Sequence, residues 1–140
     1  RTVETSPFYP AWVESAKKDI QDIKAAIAAK DFIRLGEITE ANGMKMHGTM
    51  LGAEPPFSYW EPDSIVAIKT AQTLRKQGIP CYVTMDAGPN VKVLCRLSQA
   101  ETIEQALLEH FTEDKLIITK PGKGIRELTA AERAVYNWND

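Results

Sequence analysis

Residues 81–95 read CYVTMDAGPNVKVLC, and this stretch decides the architecture. Cys81, Val83 and Met85 alternate with Tyr82, Thr84 and Asp86, the period-two pattern of a half-buried strand. AGPN at 87–90 is a turn, after which Val91, Val93, Cys95 and Leu97 resume the alternation. Two such runs around a Gly-Pro turn predict an antiparallel hairpin. A turn that sets Asp86 opposite Asn90 also sets Cys81 opposite Cys95.

Upstream, the period lengthens. In residues 10–30, PAWVESAKKDIQDIKAAIAAK, the residues Trp12, Ala16, Ile20, Ile23 and Ile27 recur every three or four positions. That spacing predicts one apolar face of a helix. Pro10 suits its first turn, and Lys17, Lys18, Asp22 and Lys24 fall on the solvated side. Asp31 is placed to cap a second helix over 32–51, with Phe32, Leu35, Gly36, Thr39, Gly43, Met46 and Met50 on one side. A glycine inside a helix costs about 1 kcal/mol relative to alanine. Gly36 and Gly43 therefore predict close approach of another backbone or of a ligand. GAEPPFSYWEPD at 52–63 is a loop, because its prolines exclude a regular helix or central strand. A third helix is predicted from Pro62 or Asp63 to Gln77, with Val66, Ala67, Thr70, Ala71 and Leu74 inward and Gly78 closing it.

Downstream, Ser98 and Glu101 have capping-box spacing for a helix reaching Phe111, with Ile103, Ala106, Leu107 and Phe111 buried. Leu116–Thr119 reads as a short strand, PGKG at 121–124 breaks the chain, and Thr129 with Glu132 is placed to cap a last helix reaching Trp138. Helices, then a hairpin, then helix and strand predict an α+β domain, with helices packed on one face of a small antiparallel sheet.

Composition bounds the function. The 140 residues are 44% hydrophobic and 26% charged, enough for one domain. A chain of this size buries about two-thirds of its unfolded surface. Its 17 Lys and Arg against 19 Asp and Glu give a net charge of −2, without the basic excess a nucleic-acid footprint needs. No apolar run is long enough to span a membrane, and RTVETSPFYP is not a signal peptide. Cys81 and Cys95 form no CxxC pair, which points to a reduced, cytoplasmic setting rather than a disulfide scaffold. The chain starts at Arg1 without a methionine, as expected of a processed piece or of one domain of a longer protein.

Asp86 is the chief chemical candidate. A carboxylate at the end of an apolar strand is held rigidly and can take a proton from a substrate hydroxyl. Ala87, Gly88 and Pro89 leave a small, stiff turn with nothing bulky to block access, so Ala87 and Gly88 are candidate pocket-lining residues. An aspartate before Gly-Pro-Asn is equally a common turn residue. His47, in MKMHGTM at 44–50, can carry protons or bind metal. Gly43 and Leu51 flank it at four residues, however, so no metal-ligand spacing results, and packing at a helix interface is the expectation for it and for His110. PGKG lacks phosphate-loop spacing. Phe57, Tyr59 and Trp60 read as an apolar plug, and residues 5–9 as an extended lead-in to the first long helix.

Five ordered segments carry a family resemblance: ETSPFYPAWV at 4–13, AAIAAKDFIRLGEITEAN at 25–42, MKMHGTM at 44–50, PPFSYW at 55–60 and TMDAGPNVKVL at 84–94. Together they resemble the C-terminal domain of the diphosphomevalonate decarboxylases, members of the GHMP kinase superfamily. The resemblance covers about residues 1–97, with weaker similarity to the end, and the tail from Lys120 carries no motif matched to the family.

The resemblance implies an ATP- and magnesium-dependent enzyme that phosphorylates the 3-hydroxyl of mevalonate 5-diphosphate. Loss of phosphate and carbon dioxide then gives isopentenyl diphosphate. The family's catalytic aspartate falls on Asp86, as the group that orients and deprotonates the hydroxyl. The family's phosphate loop, its lysine near the aspartate and a substrate-contacting Ser-Arg pair belong to sequence before Arg1. The expectation is thus one domain of a two-domain, homodimeric enzyme whose ATP and Mg2+ are bound mainly by the absent N-terminal domain, and which is inactive as this chain alone. Phosphomevalonate decarboxylase or a related GHMP kinase shares the architecture; relatives that only phosphorylate tend to lose the aspartate. A catalytically inert binding or dimerisation module of the same fold is the alternative from another class.

Overall fold

The hairpin ladder has the expected register. In the computed structural model, which describes residues 1–122 and 124–132, β1 (Cys81–Thr84) pairs antiparallel with β2 (Lys92–Cys95). Cys81 stands opposite Cys95 and Thr84 opposite Lys92. Both thiols are free, and burial pushes both above their ordinary pKa.

Helices surround this small sheet. A short helix α1 (Thr2–Thr5) precedes α2 (Tyr9–Ala28), α3 (Phe32–Leu51) and α4 (Pro62–Lys76), and α5 (Ala100–Leu108) follows the hairpin. The α+β architecture is thus as expected, but the helical cover is fuller than on one face. Cys81, Val83 and Met85 enter a core with Ile68, Ala71 and Leu74 of α4 and Ile103 of α5. Tyr82 and Thr84, on the opposite face, meet α3. β1 is consequently buried on both sides, not half-buried, and Tyr82 is only 7% exposed.

The α3 glycines explain that contact. A Cβ on Gly36 would fall within the Tyr82 ring, and one on Gly43 would lie 3.1 Å from Thr84 Oγ1. Gly36 and Gly43 lie two helical turns apart, on the α3 face that meets β1. Asp31 caps α3 as expected, accepting from the Arg34 N–H at 3.0 Å. α3 is held to α2 by Asp19, which accepts from Lys45 Nζ at 2.6 Å and from Asn42 Nδ2 at 2.9 Å.

Other expectations change. The apolar stripe of α2 is only partly covered: Ile20 and Ile27 are 55% and 58% exposed, because α3 packs towards Ala26 and Asp19 instead. Ile68, not singled out from periodicity, joins the core of α4. Gly78 follows the end of α4 with φ +85°, as a closing glycine should. Residues 5–9 are not one extended lead-in: Thr5 is the last residue of α1, where its hydroxyl donates to the Arg1 carbonyl, Ser6 is extended, and Tyr9 already begins α2. Leu97 leaves the sheet and is exposed in a single 3-10 turn, Leu97–Gln99. That turn supplants the Ser98–Glu101 capping box, and α5 ends at Leu108, before Phe111. Leu116–Thr119 is not a strand; Ile117 and Ile118 are exposed there and no partner strand lies beside them among the described residues. Thr129 and Glu132 do form their reciprocal cap, with Arg126 beside Glu132 holding its carboxyl down to about 2. The expected continuation to Trp138 lies outside the described residues.

Candidate active site

Asp86 stands just past the end of β1. The strand's alternation continues beyond the ladder: Met85 is 2% exposed and belongs to the core, while Asp86 points to solvent. Its Oδ2 accepts from Lys92 Nζ at 2.7 Å. Lys92 is the ladder partner of Thr84, so ammonium and carboxylate meet across the mouth of the hairpin. The Asp86 side chain is 77% exposed and that of Lys92 53%. An ion pair this open is worth at most about 1 kcal/mol; it orients the carboxylate and yields readily to an incoming group.

The turn between them is held from one side. Gly88 has φ +120°, a backbone conformation that side chains disfavour. The next carbonyl, on Pro89, accepts from Ser64 Oγ at 2.8 Å. Ser64 is 2% exposed in the first turn of α4, and its oxygen also accepts from the Glu61 N–H at 3.3 Å. One hydroxyl thus ties the turn to the start of α4. A cleft of about 610 Å³ opens beside this junction, lined by Ser64, Ala67, Pro89, Val91, Leu107 and Phe111 among others. Ala87 and Gly88 do not line it. They stand on the turn with Asp86, Ala87 exposed and Gly88 half-buried.

His47 lies on α3 behind the turn. It is 2% exposed, with its ring 5.5 Å from that of Trp60. Burial holds its pKa below the ordinary 6.5, with the Met85 backbone and the Asp86 carboxylate pulling weakly upward. Packing at an interface is therefore what the structure shows, as expected. His110 is exposed and far from this constellation in sequence and element. Trp60 packs against the core and Arg1 lies over Phe57, 4.3 Å from the ring centre, so the aromatic loop serves as a plug. Pro121, Gly122 and Gly124 are exposed, and Lys123 lies outside the described residues. Among the described residues no three His, Cys, Asp or Glu side chains gather to hold a metal. No helix there is long and apolar enough to cross a membrane.

Sequence reasoning missed Lys92 and Ser64. The register carried a signal for Lys92, because a residue opposite Thr84 is a diagonal neighbour of Asp86. Ser64 left none, since the contact depends on where α4 begins relative to the turn.

The fold matches known enzymes. A mevalonate diphosphate decarboxylase from Enterococcus faecalis superposes with a TM-score of 0.81 at 54% identity, covering 84% of this chain and 36% of that one. The same comparison with MDDEF in complex with MVAPP, AMPPCP and magnesium gives a TM-score of 0.82. The Staphylococcus aureus mevalonate diphosphate decarboxylase gives 0.80 at 44% identity over 83% of this chain and 35% of that one. A diphosphomevalonate decarboxylase from Candida albicans is 29% identical over 79% of this chain and 31% of its own length. A phosphomevalonate decarboxylase from Haloferax volcanii is 22% identical over 74% and 32%. The chain spans about a third of the length of these relatives. The family model described as the mevalonate 5-diphosphate decarboxylase C-terminal domain matches residues 1–136, well past the 1–97 carried by the quoted motifs, and the chain belongs to that family.

Proposed function

We propose that this chain forms the C-terminal domain of a two-domain, ATP-dependent mevalonate 5-diphosphate decarboxylase, in which Asp86 is the catalytic base. The observation that carries the reading is the placement of Asp86: a solvent-facing carboxylate on a strand end buried on both faces, with Lys92 Nζ 2.7 Å away. Position matters more than covalent chemistry in phosphoryl transfer. Asp86 accepts the proton of the substrate's 3-hydroxyl as that oxygen gains the phosphoryl group supplied by ATP. The carbon–oxygen bond then breaks, phosphate leaves, and the electrons of the carboxylate carbon bond close the double bond as carbon dioxide departs. The departing phosphate takes the proton back from Asp86, and the restored carboxylate stabilises the positive charge developing at the carbon.

Among the described residues no three His, Cys, Asp or Glu side chains gather, but Mg2+ beside a nucleotide is held by one or two carboxylates and the phosphates themselves, so the lack of such a cluster does not divide the site. The family resemblance assigns ATP and Mg2+ mainly to the remainder of the complete enzyme, and this chain alone is expected not to turn over ATP. A homodimer belongs to the same reading and is measured by light scattering of the complete enzyme. The Haloferax match favours a second reading, with the 5-phosphate as substrate. Comparing kcat/KM for the two substrates decides between them.

The test of Asp86 is Asp86→Asn in the complete enzyme. Loss of a positioned base lowers kcat by roughly a hundredfold to ten-thousandfold, with the substrate KM little changed. Near-normal decarboxylation would remove Asp86 from this role and favour an inert module of the same fold.

A further inference from the structure

The Asp86 turn is held by few contacts. Met85 before it is buried in the core, and Lys92 after it returns to the ladder. Among the described residues, the backbone of 87–90 makes one hydrogen bond: the Pro89 carbonyl accepts from Ser64 Oγ at 2.8 Å. Ala87, Pro89 and Asn90 are exposed. Pro89, Asn90 and Val91 border the cleft of about 610 Å³, so on that side open space replaces packed side chains.

Ser64 is suited to hold such a turn. It is 2% exposed, so water does not compete for its hydroxyl. Capping α4 uses only the acceptor side of that hydroxyl, which takes the Glu61 N–H at 3.3 Å. Its single proton is left for Pro89. Ile68, Ala71 and Leu74 fix the following turns of α4 in the core. The hydrogen bond therefore refers the turn to a rigid element, three residues from the carboxylate.

We infer that Ser64 is a positioning residue for the reaction: its hydroxyl fixes the far end of the turn and thereby where the Asp86 carboxylate points. The inference rests on the reading of Asp86 as the base. A catalytic group displaced by about 1 Å loses up to about a hundredfold in rate.

The experiment places Ser64→Ala, Ser64→Thr and Ser64→Cys in the complete enzyme and repeats Ser64→Ala in an Asp86→Asn background, reading kcat, the substrate KM and Tm. Ser64→Ala is expected to lower kcat by about tenfold or more, leaving KM within about twofold. Its Tm falls as well, since both partners of the hydroxyl lose their match, so kcat is read well below that Tm. Ser64→Thr keeps the hydroxyl, its methyl has the adjoining cleft to enter, and most of kcat returns. In the Asp86→Asn background the same Ser64→Ala should cost no more than about twofold, because a residue acting through the carboxylate has nothing left to position. Wild-type kcat in Ser64→Ala overturns the inference. So does a similar loss in both backgrounds, or an equal loss in Ser64→Ala and Ser64→Thr, either of which marks a purely structural role. Should Ser64→Ala fail to fold, Ser64→Cys decides, being a weaker donor of nearly the same shape: a kcat lowered severalfold at unchanged KM supports the inference, and an unchanged kcat overturns it. If Asp86→Asn keeps its activity, the reading of Asp86 as base fails first and is recognised separately. An inactive Asp86→Asn beside a fully active Ser64→Ala sinks only the role of Ser64.

Discussion

Arg75 and Glu40 together close the outer edge of β1. Arg75 Nη2 donates to Glu40 Oε1 at 2.6 Å and Nη1 to Oε2 at 2.9 Å. The same pair completes the strand: Arg75 Nη1 donates to the Cys81 carbonyl at 2.6 Å, and the Val83 N–H donates to Glu40 Oε2 at 2.7 Å. An edge strand normally presents such groups unpaired. Here one ion pair between α3 and α4 takes the place of a third strand, and a two-stranded sheet is held rigid under the Asp86 turn.

Breaking that pair should therefore destabilise the domain. Glu40→Ala leaves the Val83 N–H and the Arg75 guanidinium without their partner, at a cost of about 2–4 kcal/mol in so sheltered a site. Glu40→Leu combined with Arg75→Met should recover part of the loss. Urea denaturation measures both, and an unchanged midpoint for Glu40→Ala would deny the edge-closing role.

Gly36 is fixed by the Tyr82 ring. Gly36→Ala gains about 1 kcal/mol of helix propensity but drives a methyl into that ring, and overpacking typically costs about 1–3 kcal/mol. Tm should fall in the wild-type background and rise when Tyr82→Ala makes room. A rise in both backgrounds would mean that the ring shifts freely.

The α2–α3 attachment should weaken only in acid. Burial raises the Asp19 pKa, but hydrogen bonds from Asn42 and Lys45 outweigh it and the net value lies below the ordinary 3.8. A carboxylate with a lowered folded pKa adds stability that is complete above the unfolded value and lost as pH falls through the folded one. Denaturant midpoints should hold from pH 7 to about 4 as far as this group is concerned. The decline below that should be shallower in Asp19→Asn; an equal decline would exclude Asp19 as its source.

Lys92 should matter little to stability. Its pairing with Asp86 is largely exposed, so Lys92→Ala should change unfolding by no more than about 0.5 kcal/mol. A greater loss, seen by the same denaturation, would show that the turn leans on the pair.

Much of the arrangement follows from the sequence by itself. Alternation over 81–95 determined the hairpin and its Cys81–Cys95 register, because side chains on a strand repeat every two residues and a tight turn leaves no slack. Asp31, Gly36, Gly43 and Gly78 determined where α3 and α4 begin, bury or stop, since caps and glycines act locally. The DAGPN motif at 86–90 singles out Asp86 through local chemistry, as a carboxylate at the end of an apolar strand. Only the tertiary structure decided that α3 and α4 cover opposite faces of β1, leaving Ile20 and Ile27 uncovered, and that Leu116–Thr119 finds no partner. Only it decided that Glu40 and Ser64 converge on the strand and turn that carry Asp86. Those contacts join residues 25 to 43 positions apart, and no periodicity records which helix face meets which strand. That choice is made by packing, where a missing Cβ at Gly36 and a sheltered ion pair outweigh the preferences of each segment taken alone.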